Sequence, residues 1–283
     1  MALTEQRQLA FEFDASRRRT YADFVRQASR ELVVYRHAIA NFITTSLSAR
    51  YRRSVLGFFW SLLNPLFTLA IMSVVFALLY KRDIRDFGLY LFSGLLPWNF
   101  INASIAMGAD CIISAERYLK KMYVPRVAFP VVSLGIEFIN LLFSLLSMFI
   151  VMLLIGARFR LTVLLLPAAL LLLAAFLFGL ILMVSAWTVF FRDLSHIIEI
   201  ALRALFYVTP ILYPLSLLDN AAISAVLKLN PFYYFITLSQ ELVYSGVLPA
   251  PDLWAVCLAL SVLSLLVGTW VFHKLEMELI FRL

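Results

Sequence analysis

Apolar residues fill long stretches of this chain, and short clusters of Lys, Arg, Asp and Glu separate them. A helix that crosses the bilayer needs about 20 mostly apolar residues. Stretches of that kind cover residues 54–80, 87–109, 127–157 (interrupted only by Glu137) and 161–191. A weaker fifth covers about 197–217, with Glu199 and Arg203 near its start, and a sixth covers 253–272. The pattern predicts an all-α integral membrane protein with six transmembrane helices and both ends on one side. Residues 1–53 read as an N-terminal arm and residues 54–283 as the transmembrane domain.

The segments between the spans carry patterns of their own. In the arm, residues 1–19 are polar, but from Tyr21 the apolar positions Phe24, Ala28, Leu32, Tyr35, Ile39, Phe42, Ile43 and Leu47 recur at helical steps. Thr20 with Asp23 resembles a capping box at its start. Arg26, Arg30, Arg36, Arg50, Arg52 and Arg53 occupy or flank the polar side. This predicts an amphipathic helix, either lying in the inner headgroup layer or packed against another cytosolic protein. Loop 110–126 predicts a short helix capped by Ser114, built on Ala115, Glu116, Arg117, Leu119 and Lys120, and ended by Pro125. It serves as a connector or as a docking element, and the loop alone does not choose. Residues 214–252 are apolar yet cut by Pro214, Pro231, Pro249 and Pro251 into pieces too short to span. They predict two short helices, either re-entrant in the outer leaflet or resting on the outer surface.

Composition supports the membrane reading and excludes other classes. Hydrophobic residues make up 63% and charged residues 14% of 283, which fits neither a soluble globule nor a disordered chain. Eighteen of the 24 Lys and Arg fall in the arm, loop 110–126, residues 192–203 and the C-terminal tail, which makes that side cytoplasmic. The net charge of +7 then reflects topology, not nucleic-acid binding. Residues 1–20 lack the apolar core of a signal peptide. Cys111 and Cys257 stand apart and support neither a disulfide framework nor a zinc site. The nine glycines never stand five apart before a Lys, so the chain has no P-loop for ATP.

Candidate chemistry is sparse. Glu137 is a lone acid inside a span, either hydrogen-bonded within the bundle or coupled to protons. His37, His196 and His273 fall in cytosolic or interfacial positions and read as interface residues. Glu199 and Arg203 stand four apart, the favourable order for a helical ion pair. Phe58, Phe59 and Trp60 begin the first span together, as lipid-facing side chains or as aromatic faces over which a sugar ring can slide.

Five motifs occur in order. The first is RYRRSVLGFFWSLLNPL (50–66), with Arg50, Arg52, Arg53, Leu56, Gly57, Trp60 and Pro65. ERYLKKMYVPRVAFP (116–130), FRD (191–193), TPILYP (209–214) and LNPFYYF (229–235) follow. Together they resemble ABC-2-type export permeases from about residue 30 onward. The RYRRSVLG form is most similar to permeases for lipid-linked polysaccharides such as O-antigen or teichoic acid. Capsule-export permeases commonly carry an acidic residue where this chain has Asn64.

The resemblance implies a homodimer forming a pore in the inner membrane. Two copies of an ATP-binding cassette subunit would bind ATP and Mg, this chain holding no cofactor. It implies a coupling helix at Ser114, Glu116, Arg117, Tyr118, Leu119, Lys120 and Lys121, and a cytosolic pore entrance at Arg52, Arg53, Phe58, Phe59 and Trp60. The outer aromatics Phe232, Tyr233, Tyr234 and Phe235 are expected to gate the pore, or to anchor their helix at the outer interface. The expected cargo is a lipid-linked glycan, and membrane lipids surround the dimer. Alternatives are an ABC-2 exporter of drugs or lipids and an ion-coupled secondary transporter.

Overall fold

A computed structural model describes residues 20–51, 59–80, 83–121, 123–154, 156, 160–213 and 221–282. Two helices precede the bundle, α1 (Tyr21–Val34) and α2 (Arg36–Tyr51). Then come α3 (Trp60–Tyr80), α4 (Ile84–Ala109), α5 (Ala128–Leu154), α6 (Leu166–Phe190) and α7 (Leu194–Val208). Two short helices, α8 (Ala221–Lys228) and α9 (Pro231–Gln240), lead into the long α10 (Pro251–Arg282). Among the described residues, three stretches are long and apolar enough to cross a membrane: Ala128–Leu154, Leu161–Phe190 and Pro251–Glu276.

The direction of the helices follows from three contacts. Ser261 Oγ donates to the Leu172 carbonyl and Ser264 Oγ to that of Phe176, and Gly268 lies against Gly179. Both numbers rise together, so α6 and α10 run parallel. Between them the chain must return across the thickness of the bundle, and α7 to α9 fill that return. One end of the bundle gathers Tyr90, Asp86, Arg160, Thr162 and the turn Glu241–Ser245. The opposite end gathers Phe24, Ile112, Val127, Val189, Phe272 and Leu279. Between the ends lies the main core, where α4, α6 and α9 meet through Trp98, Phe176, Phe232 and Phe235.

Several sequence expectations are corrected in detail. The arm is two helices, because Phe24 packs on α10 beside Phe272 while Ile39 packs on α5 beside Phe129 and Val132. Tyr35 (φ −89°, ψ 11°) makes the break that lets each half reach its own neighbour. Thr20 precedes α1 without a side-chain cap bond, so no capping box forms. The fifth span, expected over 197–217, stops at Val208. Pro210 forces Thr209 out of the helical region (ψ 133°), as proline does to the residue before it. At 15 residues, α7 is roughly 22 Å long, short of a roughly 30 Å hydrocarbon core.

Candidate functional site

Segment 110–126 is two single helical turns, Cys111–Ser114 and Glu116–Leu119, instead of one helix. Ser114 closes the first turn and caps nothing. Two apolar anchors account for the break: Ile112 is buried against Leu182, Ala186 and Phe272, while Ala115 is buried with Ile39, Val124 and Ala128. Leu119 lies half-buried between the two clusters. The anchors leave Ser114, Arg117, Tyr118, Lys120 and Lys121 exposed and Glu116 partly so.

Polar contacts fix this segment to both ends of the chain. Lys120 Nζ donates to the Glu116 carboxylate one turn back. That ammonium, with Arg192 and Arg117 nearby, holds the Glu116 carboxyl below the usual range. Arg192 belongs to the 191–193 turn before α7, which therefore shares the electrostatic environment of the segment. Tyr118 meets Phe42 edge-on at 5.2 Å. The Tyr123 hydroxyl donates to Glu31 Oε1 at 3.1 Å, and burial beside that carboxylate pushes its pKa up to about 12. Arg126 Nη1 reaches the Glu276 carbonyl at 3.0 Å and its carboxylate at 3.8 Å, while burial pulls the Arg126 pKa down. Tyr123 and Arg126 thus tie the end of this segment to α1 and α10.

Of the expected entrance, Arg52, Arg53 and Phe58 lie outside the described residues. Phe59 is 68% and Trp60 38% exposed, so neither is used in packing the chain's own core. On α2 and α5 the structure brings together a pair that sequence reasoning missed. Arg50 Nη2 donates to Glu137 Oε1 at 3.1 Å, and Asn140 Nδ2 to Glu137 Oε2 at 2.9 Å. A lone acid in one span and an Arg-rich arm before another were the available signal, since a buried carboxylate demands a partner. Glu137 therefore takes the hydrogen-bonded role, with Arg50 and Asn140 as its donors.

At the other end, Asn230 caps α9 by accepting from the Phe232 amide, and Pro231 fills the first position. Asn230 Nδ2 also donates to Thr209 Oγ1 at 2.8 Å, tying α9 to the broken end of α7. The freed Pro210 carbonyl accepts from the Tyr90 hydroxyl and from Gln240 Nε2, both at 3.3 Å. Phe235 stacks on Phe176 at 5.0 Å, and Phe232 meets Trp98 and Phe176 edge-on. Phe232, Tyr233 and Phe235 are buried, and half-buried Tyr234 donates to the Lys228 carbonyl. Three of the four expected gate residues therefore face the interior of this chain's own bundle. The Glu199–Arg203 pair forms at 3.7 Å on an exposed face of α7.

The sequence profile of the family described as ABC-2 type transporter matches residues 38–244. The chain is 32% identical over 250 residues to the O-antigen export system permease protein RfbA of Myxococcus xanthus, covering 88% of this chain and 96% of the relative. A Klebsiella pneumoniae protein of the same name is 29% identical, with 81% of this chain and 88% of the relative covered. The polysialic acid transport protein KpsM of Escherichia coli is 27% identical over 71% of this chain and 78% of its own length. The match spans the arm from α2, segment 110–126 and both short helices α8 and α9, and on it the chain belongs to the ABC-2 type transporter family.

Proposed function

We propose that this chain is the permease subunit of an ABC exporter that moves a lipid-linked, O-antigen-like polysaccharide across the inner membrane. The observation that carries the reading is the 96% coverage of the Myxococcus RfbA sequence, which extends the likeness from motifs to nearly the whole permease. Two copies form the pore, and two copies of a separate ATP-binding cassette subunit bind ATP and Mg beneath it. The exposed strip of Arg117, Tyr118, Lys120 and Lys121, anchored by Ile112 and Ala115, is the surface on which that subunit docks. Movement there reaches α1, α5 and α10 through Tyr123 and Arg126.

Six crossings with both termini cytoplasmic are supported by the parallel course of α6 and α10, which requires a return crossing between them, and by the Lys and Arg partition. The α8–α9 pair caps the outer end of the pore. Its aromatics hold it against α4 and α6, and Tyr234 is the one placed nearest the solvent side. Arg52, Arg53, Phe58, Phe59 and Trp60 form the cytosolic entrance, where the exposed faces of Phe59 and Trp60 accept sugar rings.

Deletion of the gene tests the reading. Surface glycan is expected to disappear while lipid-linked glycan accumulates on the cytosolic leaflet, and a plasmid copy restores export. A deletion strain with unchanged surface glycan refutes it.

A further inference from the structure

Helix α2 does not lie flat against the bundle; it climbs α5. Ile39 packs with Phe129, Val132 and Ile136, Ile43 fills the space beside Gly135, and Arg50 reaches Glu137. Glu137 is the tenth residue of the 27-residue α5, roughly 14 Å along it. A helix of that length is roughly 40 Å long against a hydrocarbon core of roughly 30 Å, so Glu137 lies inside the hydrocarbon edge.

At that depth the two partners are unequally covered. The Glu137 side chain is 7% exposed and that of Arg50 43%. One Arg50 nitrogen contacts Glu137, and the guanidinium has no other partner among the described residues. Arg carries five N–H donors in a fixed fork, so one contact leaves most of them available to a further partner. A cation cannot face lipid tails there at low cost; it must face water or an anion. Two further polar atoms on the same stripe of α5 stand without partners: Ser133 Oγ and Asn140 Oδ1, one turn to either side of Glu137. Asn140 must turn Nδ2 toward the carboxylate, which commits Oδ1 to look for a donor. Unmet hydrogen-bonding capacity is thus buried beside the Arg50–Glu137 pair in an otherwise apolar wall.

We propose that Arg50 is the phosphate-binding residue of the entrance, held in position by Glu137 and Asn140 to receive the phosphoryl group that joins glycan to lipid carrier. This rests on the polysaccharide-export reading above and names the residue that would recognise its lipid-linked end. Glu137 fixes the guanidinium through one nitrogen and leaves a bidentate edge free, the geometry Arg uses for phosphate. The carboxylate also tempers the charge, so that the phosphoryl group is held and then released. The same chemistry occurs in anionic phospholipid headgroups, and the experiment separates the two sources.

The full chain in phosphatidylcholine nanodiscs is titrated with farnesyl diphosphate and with inorganic pyrophosphate by calorimetry. Wild type is expected to bind farnesyl diphosphate, Arg50→Gln to bind it about tenfold or more weakly, and Arg50→Lys to fall between. Arg50→Gln leaves a buried carboxylate unpaired. The double variant Arg50→Gln/Glu137→Gln removes both charges and keeps the test open if the single variant does not fold; it too is expected to bind weakly. Three results overturn the proposal: wild type binding neither probe, a folded variant without Arg50 binding as tightly as wild type, or phosphatidylglycerol in the nanodisc displacing farnesyl diphosphate in an Arg50-dependent way, which assigns the site to bilayer lipid. Export by the wild-type strain is scored separately, so loss of the Arg50 assignment is distinguishable from loss of the export reading.

Discussion

The contact between α6 and α10 should be among the least tolerant in the molecule to a single methyl group. A Cβ added at Gly268 would stand 2.1 Å from the Gly179 carbonyl oxygen, and one added at Gly179 would stand 2.3 Å from the Ser264 backbone. Both obstacles are backbone, so no rotamer change relieves them, and the helices must separate by roughly 1 Å. Overpacking of this kind costs about 1–3 kcal/mol. Separation also lengthens the Ser261–Leu172 and Ser264–Phe176 hydrogen bonds, now 2.8 and 2.7 Å, and such bonds in membranes contribute about 0.6 kcal/mol each. Gly268→Ala and Gly179→Ala are each expected to destabilise by about 2–4 kcal/mol. The double variant should cost well below the sum, since one separation relieves both clashes. Gly135→Ala is the control, because its added Cβ meets only the flexible end of Ile43 at 2.8 Å. Unfolding of the purified chain in mixed micelles, driven by SDS and followed by circular dichroism, reads these differences. A Gly268→Ala variant within about 0.5 kcal/mol of wild type, or strictly additive glycine variants, would refute the close backbone approach.

Two further outcomes test the proposed topology and coupling. In a background lacking Cys111 and Cys257, single cysteines at Arg85, Arg158 and Lys228 should react with an impermeant thiol reagent outside intact cells, and one at Lys120 should not; labelling of Lys120 refutes the six-crossing arrangement. Reversing the charges of Arg117 and Lys121 together should reduce recovery of the ATP-binding subunit on affinity-purified permease by about tenfold, since each charge is exposed and free to meet a partner; unchanged recovery moves the docking surface elsewhere.

The sequence by itself determined that this is a helical membrane protein and where most of its helices lie. Bilayer thickness imposes a length on each apolar run, so composition alone marks where α5, α6 and α10 lie, although α10 continues to Arg282, ten residues past the expected span. Five motifs in order carried the family. Local chemistry also marked the start of α9, because Asn230 and Pro231 specify a helix start whatever surrounds them. Tertiary structure decided the remainder, where the deciding partner is distant in the chain. The arm breaks at Tyr35 because α10 and α5 pull its halves in different directions, and helical periodicity cannot register that. Segment 110–126 divides because Ile112 and Ala115 sink into separate clusters. The aromatic quartet of α9 looks like a gate in one dimension; Trp98 and Phe176, more than 50 residues away, turn most of it into core. Glu137 shows the difference most directly. Its burial was legible from the apolar run around it, but the cation that compensates it stands 87 residues earlier, and only the climb of α2 along α5 brings the two charges together.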